Sequence, residues 1–401
     1  MTTRRVATLA AVVLMTTAIS LAQPAFAQQT REGERAAAQA EKADHLHPYE
    51  PTKIELRIQR IEKALLNPPR VYSFVGSVFP GGFLAAGPGY RGRYAESGAF
   101  DVHAAWSLKS YKTVDGFWKL PDVAGGRIRV DLRGNWLDAP RVAFFGLGNA
   151  SRLDEKTSFL YRAATAGASG QAAVSSFFSV GGGVELIDID TAGGVGGTSI
   201  EQRFTPGTAP GLHATPTYVR GRLFVDVDSR PSPGYTRRGG RYRIDWSDYH
   251  ETTEGQYSFR RLDVELNQAF PVLRENWVIA LRGLASLTDT QSGGTVPYFL
   301  MPSLGGSKEL RGYPSWRFRD RNRLLLTGEY RWMAGQFVDM ALFLDAGKVA
   351  GRTGALDLHE LKTSYGVGVR FHAPNATALR LEIARKRDEG IGVVFAFGPA
   401  F

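Results

Sequence analysis

The chain of 401 residues contains no cysteine, which excludes a disulfide framework, a thiolate nucleophile and thiolate metal ligands. After the first 27 residues it also contains no apolar run long enough for a transmembrane helix. Acidic residues are the minority, with 39 against 49 basic ones, and the formal net charge is +10. The basic residues are spread along the chain and form no single patch, which argues against a nucleic-acid partner.

The first 27 residues have the pattern of a secretory signal peptide. Arg4 and Arg5 form a basic start, an apolar stretch covers residues 6–21, and an Ala-Phe-Ala motif occupies residues 25–27. Because the stretch is short for a membrane span and a cleavage motif follows it, we predict that residues 1–27 are removed on export. An exported chain without a second apolar span is periplasmic, secreted or an outer-membrane barrel.

A polar segment, residues 28–69, separates the signal peptide from the rest of the chain. Within it, isoleucine and leucine recur at helical spacing over residues 53–66, and Asn67-Pro68-Pro69 ends the pattern. The sequence therefore predicts a short amphipathic helix at 53–66. Two interpretations stay open: a linker helix, or a helix that docks on or plugs the structure that follows.

From residue 71 onward the apolar side chains recur at every second position. Leu262, Val264 and Leu266, for example, alternate with Asp263 and Glu265. This period is typical of β-strands with one apolar and one polar face. Alternation alone fits a soluble β-sandwich as well as a membrane barrel.

Three further features favour a membrane barrel. The sequence supplies no helices to cover the apolar face. Short connections at residues 138–140, 271–276 and 373–376 contrast with long ones at residues 191–215 and 290–320, as periplasmic turns and external loops do in outer-membrane barrels. The alternating segments number about sixteen, and bacterial barrels have an even count. We therefore predict an all-β fold, a transmembrane antiparallel β-barrel of about 16 strands with a short N-terminal helical segment.

The predicted barrel occupies residues 70–401 and ends on a strand with two contrasting faces. Large apolar side chains alternate along one face: Ile391, Val393, Phe395, Phe397 and Phe401. Smaller ones occupy the other face: Gly392, Val394, Ala396, Gly398 and Ala400. We predict that Phe395, Phe397 and Phe401 face lipid and form a C-terminal barrel signal. The small inner face is what the closing seam of a barrel would need.

Four aromatic residues of the alternating strands are candidates for a girdle at the membrane interface: Trp246, Trp277, Tyr330 and Trp332. Ordinary packing between strands is the alternative interpretation for them.

The long loop before the last five predicted strands contains the motif Arg311-Gly312-Tyr313. On the next two strands the alternation directs Glu329 and Asp345 to the polar inner face. A guanidinium inserted from the loop can form charge-assisted, bidentate bonds with these carboxylates, and lysine lacks the planar fork for this. The sequence therefore predicts a loop that folds back into the barrel and is fixed to its inner wall.

Together these motifs resemble the BamA/TamA outer-membrane superfamily, also called the bacterial surface antigen family. In that family the sixth external loop carries Arg-Gly-Tyr or Arg-Gly-Phe, here residues 311–313. An aromatic-x-Asp-x-Gly motif follows on the thirteenth strand, here residues 343–347, with an inward glutamate between them, here Glu329. The resemblance implies an internal latch composed of Arg311, Gly312, Tyr313, Glu329, Asp345 and Gly347.

The resemblance implies a non-enzymatic outer-membrane barrel that inserts or translocates proteins, or lipids, through a seam between its first and last strands. The expected partners are outer-membrane lipids, a protein or lipid client, and the barrel assembly machinery for its own insertion. No cofactor, metal or nucleic acid is expected. Only about forty residues separate the signal peptide from the barrel, too few for the periplasmic POTRA domains of the family, so the chain resembles a short, POTRA-less member.

Two other functions stay open. A passive or gated outer-membrane pore would use the charged inner face for transport. The other is an enzyme in a barrel scaffold, such as a lipase or protease, and no catalytic constellation in the sequence supports it. The glycines of residues 87–92 match a nucleotide-binding pattern but precede a predicted strand, so we interpret them as barrel glycines. His45 and His47 lie in the polar segment without a matching cluster, so we interpret them as incidental.

Overall fold

The computed structural model describes residues 55–56, 69–291 and 293–401. The predicted signal peptide, the polar segment and its amphipathic helix lie almost wholly outside these residues. The chain divides into two compact units, residues 1–61 and 62–401, and the described strands all belong to the second. Among the residues that the structure describes, no helix is both long and apolar enough to cross a membrane.

Sixteen long strands follow one another along the second unit. They are β1 (Val71–Gly76), β2 (Ala85–Tyr94), β3 (Gly98–Ser107), β4 (Lys112–Lys119), β5 (Ile128–Phe144), β6 (Thr157–Ala173), β7 (Phe178–Gly193), β8 (Thr217–Asp228), β9 (Gly239–Glu251), β10 (Phe259–Leu273), β11 (Trp277–Thr290), β12 (Asn322–Gly335), β13 (Val338–Ala350), β14 (Lys362–Ala373), β15 (Ala376–Lys386) and β16 (Gly390–Phe397). Single-turn 3-10 helices lie in the loops at Leu153–Glu155, Ile200–Gln202, Tyr298–Leu300 and Thr353–Ala355.

The strands pair in chain order, each antiparallel to the next, and form one 16-stranded sheet that curves into a nearly closed barrel. The prediction of an all-β antiparallel barrel of about 16 strands is confirmed, as are the five strands after the long loop. Because β1 and β16 stand at the two ends of the pairing order, the seam of the barrel lies between them.

The alternation separates an apolar outer face from a polar inner face. On β11, Ile279 and Leu281 are exposed outward, whereas the polar Arg282 and Ser286 are buried on the inner side. The same pattern leaves exposed apolar side chains on most strands of the barrel. Soluble monomers rarely expose contiguous apolar patches above a few hundred Å². An apolar band of this extent fits a surface that faces lipid.

The connections at the two ends of the barrel differ in length. One end carries the long loops, residues 145–156, 194–216 and 291–321, and the other carries tight turns such as residues 274–276 and 336–337. Outer-membrane barrels have this pattern, with long external loops and short periplasmic turns. The predicted contrast between long and short connections is therefore present.

One predicted connection, at Asp138-Ala139-Pro140, is wrong. These residues lie within the 17-residue strand β5. The pairing of β5 with β6 shifts between Ala139 and Val142, which marks a bulge. Proline has no amide hydrogen to donate, and a bulge leaves one residue unpaired, so the proline is accommodated without ending the strand.

Phe401 does not share the outward face of Phe395 and Phe397, contrary to the expectation that all three face lipid. Gly398 follows β16 with a φ of +75°, and beyond it the chain turns inward. The Phe401 ring packs against the buried inner-wall residues Ala269, Val278 and Ala280. The period of two could not anticipate this because the strand ends at Phe397.

The loop of residues 291–321, called loop 6 below, folds back into the barrel. Ser303–Leu304 and Phe318–Arg319 pair as a two-residue antiparallel ladder at its base. Its apolar side chains are buried against the wall in one cluster: Leu304, Leu310, Tyr313 and Phe318 with Leu284, Leu325 and Val349. Loop 6 therefore fills part of the interior and does not project into solvent.

Candidate functional site

The two predicted carboxylates lie on neighbouring strands and face the same interior. Glu329 is on β12 and Asp345 is on β13, where Asp345 pairs with Thr327, two residues before Glu329. Both side chains are almost completely buried. The alternation of the two strands therefore places both acids on the inner wall, at nearly the same depth.

Arg311, at the tip of the inserted loop, binds Asp345 through three hydrogen bonds. Its Nε donates to Oδ2 at 2.8 Å and its Nη2 donates to Oδ1 at 2.8 Å, which is the bidentate geometry. The backbone N–H of Arg311 also donates to Oδ2, at 3.0 Å. Side chain and main chain of the loop tip are thus fixed to one acid of the wall.

The remaining edge of the guanidinium faces two glutamates. Nη1 of Arg311 donates to Oε1 of Glu329 at 2.5 Å and to Oε1 of Glu382, on β15, at 3.3 Å. The Phe343 ring lies below the guanidinium, with its centroid 3.7 Å from Cζ. Carboxylates thus satisfy the edges of the cation while an aromatic ring covers one face.

The carboxylates around Arg311 stabilise its positive charge. Burial alone would lower the pKa of its guanidinium, but the charges of Glu329 and Asp345 outweigh burial and raise that pKa above its ordinary value. The side chain is 1% exposed, so removal of either partner would leave a charge without solvent to replace it. We call Arg311 and its three carboxylate partners, Glu329, Asp345 and Glu382, the Arg311 cluster.

Three further arginines surround the cluster. Arg331 donates to Glu329 at 2.6 Å, Arg370 donates to Glu329 at 2.6 Å, and Arg380 donates to Glu382 at 2.9 Å. With these residues, the cluster and its surroundings hold four arginines against three acids. Sequence reasoning missed Glu382 and these arginines, although the alternation of β12, β14 and β15 would have directed them inward. Among the described residues, no group of three or more histidines and acids is arranged to hold a metal.

Glycines explain how the loop tip fits against the wall. Gly312 has a φ of +87°, and a Cβ there would lie 2.7 Å from the Cβ of Ala384. A Cβ on Gly392, in the last strand, would lie 2.4 Å from the carbonyl oxygen of Gly312. The small inner face predicted for the last strand is therefore the surface on which the loop tip rests.

The other two predicted latch residues also contact loop and wall. Tyr313 is buried, its hydroxyl donates to the carbonyl oxygen of Thr363 at 3.3 Å, and its ring packs on Phe318. Gly347 lies on β13, where a Cβ would come within 2.9 Å of Leu304 of loop 6. All six predicted latch residues thus belong to one contact region between loop 6 and the inner wall.

Of the predicted C-terminal signal, only Phe395 and Phe397 lie on the outer surface, 48% and 43% exposed. They are adjacent in an edge-to-face contact on β16. Three of the four predicted girdle residues form a continuous outer cluster, because Tyr330 contacts both Trp277 and Trp332 at 5.8 Å between ring centroids. Trp246 lies apart from them on β9.

A family comparison agrees with this combination of barrel, inserted loop and buried arginine. Residues 227–400 match the profile of the Omp85 superfamily domain. The chain carries an Omp85 superfamily domain. The match covers β9 to β16 and includes loop 6, so the predicted membership of the BamA/TamA group is confirmed at the level of the superfamily. No curated protein matches the chain.

Three solved structures share the fold. BamA from Haemophilus ducreyi lacking POTRA domains 1–3 aligns with a TM-score of 0.60 and 13% identity, over 82% of this chain and 68% of that one. CdiB from Acinetobacter baumannii and CdiB from Escherichia coli align with TM-scores of 0.54 and 0.55 and 12% identity each. This chain covers 59% and 60% of those two chains, about three fifths of their length. No POTRA-like α/β unit occurs among the residues that the structure describes.

Proposed function

We propose that this Omp85 barrel resides in the outer membrane and inserts or translocates a protein or lipid client there, without enzymatic chemistry. The observation that carries the proposal is the seam. β1 pairs over six residues with β2, β16 pairs over eight with β15, and the two strands stand at opposite ends of the sheet order. A strand edge without a partner presents free N–H and C=O groups to another strand.

The seam gives a route by which such a function would proceed. A client strand can add to the edge of β1 or β16 through main-chain hydrogen bonds, as in β-strand addition. The loop tip rests on Gly392 of β16 and is bound to β12, β13 and β15 through the Arg311 cluster. The C-terminal wall would therefore stay ordered while the β1 side moves.

The outer surface supports the proposed location. The apolar band is continued at the turn end of the barrel by the Trp277, Tyr330 and Trp332 cluster, and such aromatic groups are typical of the membrane interface. BamA and CdiB share the fold, which supports a protein client. A lipid client and the barrel assembly machinery are expected from the family resemblance alone.

A disulfide across the seam tests the proposal. The chain has no cysteine, so Phe74→Cys with Ala396→Cys gives one defined pair on β1 and β16. A matched control pair, Val225→Cys with Ile244→Cys, joins strands that already pair. Purified protein in liposomes would be assayed for insertion of an unfolded outer-membrane barrel protein and for transfer of a fluorescent phospholipid.

We expect oxidation to stop one of these activities in the seam pair, reduction to restore it, and the control pair to stay active in both states. The activity that is lost identifies the class of client. Full activity with an oxidised seam would show that lateral opening is not used.

A gated pore is the second candidate, and the inner face of β8 and β9 is the observation that favours it. Asp226 and Asp245 alternate there with arginines, although they bind Arg241 and Arg222 and are not free. A large, steady and ion-selective current in planar bilayers would favour this function over the first.

A further inference from the structure

The connection between β8 and β9, residues 229–238, is the longest at its end of the barrel, ahead of the eight residues 120–127 between β4 and β5. It lies on the side of the tight turns and has ten residues, whereas the next three connections on that side, residues 274–276, 336–337 and 374–375, have three or two. We call residues 229–238 the strap. Barrels keep this end short because it faces the periplasm, so a long and ordered segment there calls for an explanation.

The strap reaches along the mouth of the barrel to a part of the wall five strands away. Gly234 forms a parallel bridge with Ala376, and the N–H of Thr377 donates to the carbonyl oxygen of Gly234 at 2.8 Å. The Ser232 hydroxyl donates to the carbonyl oxygen of Asn375 at 3.2 Å. The strap begins at β8 and β9 but binds the turn between β14 and β15, which lie five strands further round the sheet.

A buried polar cluster holds the far end of the strap. Nη1 of Arg237 donates to Oδ2 of Asp339 at 2.8 Å, and the Tyr235 hydroxyl donates to the same oxygen at 2.9 Å. The Tyr235 ring also stacks on His372, with 4.1 Å between centroids. The side chains of Arg237 and Asp339 are 7% and 2% exposed, so solvent hardly reaches this ion pair.

The inward-turned C-terminus lies beside the strap. Arg331 donates to the carbonyl oxygen of Thr236 at 3.4 Å, and its guanidinium lies 4.8 Å from the centre of the Phe401 ring. Arg380 donates to the carbonyl oxygen of Gly398 at 3.0 Å. Strap and C-terminal residues thus meet at Arg331, which also binds Glu329 of the Arg311 cluster.

We propose that the strap is a built-in closure of the periplasmic mouth, held shut by the Arg237–Asp339 pair, and that its release opens the axial path into the barrel. The strap joins separate parts of the mouth, contacts the wall five strands away and is held there by a buried ion pair, and these are the features of a closed gate. The inference goes beyond the proposed function and does not depend on it, because a purified barrel without any client suffices to test it.

The two neighbouring arginines of the strap give a matched pair of variants. Arg237 is buried on Asp339, whereas Arg238 is 62% exposed and lies beside Glu275 at the surface. Each is changed to alanine in the full chain, so the change in net charge is the same. Ion conductance of single molecules in planar bilayers is then compared with that of the parent protein.

We expect Arg237→Ala to raise the fraction of time spent in a conducting state at least about tenfold, since this requires only about 1.4 kcal/mol of lost closure. Arg238→Ala should conduct like the parent. Equal conductance of the two variants and the parent would overturn the proposal.

A cross-link keeps the test decisive even where Arg237→Ala perturbs the wall. Ser232→Cys and Asn375→Cys are added to Arg237→Ala, because the Ser232 hydroxyl already lies on the Asn375 main chain. Oxidation should return the conductance to the parent level, and reduction should raise it again. A variant that conducts equally in both states, with the disulfide verified, would show that the strap is not the gate.

Discussion

Loop 6 and the strap enter the barrel from opposite ends, yet one arginine of each binds an acid on the same strand. Arg311 binds Asp345 and Arg237 binds Asp339, both on the inner face of β13. Six residues separate the two acids, which corresponds to about 20 Å along a strand. One strand of the wall thus anchors both closures.

The surroundings of the two arginines differ. Arg311 is shared among three carboxylates and covered by Phe343. Arg237 has one carboxylate, which the Tyr235 hydroxyl also uses. A cation with several acids retains partners when one moves, whereas a single pair is lost as a whole. The comparison therefore predicts a permanent attachment for loop 6 and a releasable one for the strap.

The largest effect should come from Arg311→Ala. It leaves the buried Asp345 and Glu329 without their shared cation, and breaking such a pair costs about 3–5 kcal/mol of folding free energy. The measurement is the temperature at which the barrel loses its folded mobility on gels, together with unfolding in urea. Arg152→Ala, which removes an exposed pair with Asp154, is the control and should change little. A variant as heat-resistant as the parent would contradict the role of Arg311.

The second prediction concerns the surface on which the loop tip rests. Gly392→Ala puts a methyl group 2.4 Å from the carbonyl oxygen of Gly312 and should cost about 1–3 kcal/mol, because main chain must shift to make room. Gly221→Ala is the control, since a Cβ there meets no atom within 4 Å. Urea unfolding of both variants measures the difference, and equal midpoints would mean that the loop tip is not packed on β16.

Tyr235→Phe tests the strap on its own. The change keeps the stacking on His372 but removes the hydroxyl that donates to Asp339 and accepts from Arg237, for an expected loss of about 1–2 kcal/mol. We expect Tyr235→Phe to raise the conductance, as Arg237→Ala does, but by a smaller factor. The comparison between the two closures would fail if this variant affected the folded mobility as strongly as Arg311→Ala.

The smallest effect is the coupling between the two closures. Arg331 binds Glu329 of the Arg311 cluster and contacts Thr236 of the strap. A double-mutant cycle of Arg311→Ala and Arg237→Ala should therefore deviate from additivity by about 0.5–1 kcal/mol. Additive unfolding energies would show that the external and periplasmic closures are independent.

The central contacts of the fold follow from short-range rules in the sequence. The period of two predicts the inward faces of Glu329 and Asp345, and the Arg311-Gly312-Tyr313 motif of loop 6 points to them. The same period directs Glu382 and Arg370 inward, but which inward residues meet depends on the curvature of the barrel and on strand register. Register is set by pairing along the whole sheet, which no local pattern encodes.

The failures of prediction lie where the local period is interrupted. Pro140 indicated a turn, but a bulge within β5 accommodates it. Phe401 lies beyond the end of β16, so alternation no longer governs its direction. The strap was not predicted, because no local pattern in residues 229–238 indicates a partner. Its contacts are made with residues more than one hundred positions away.

The Arg311 cluster is complete only when residues that are far apart in the sequence have come together. Glu382 follows Arg311 by 71 positions and lies on the strand before the last. In the folded barrel the loop tip needs β13 for Asp345, β15 for its third carboxylate and β16 for Gly392, on which it rests. Contacts of such long range form late in folding. Arg311 therefore has all its partners only when the last hairpin, β15 and β16, is in place. A chain truncated before β15 would leave a buried cation without its full set of acids.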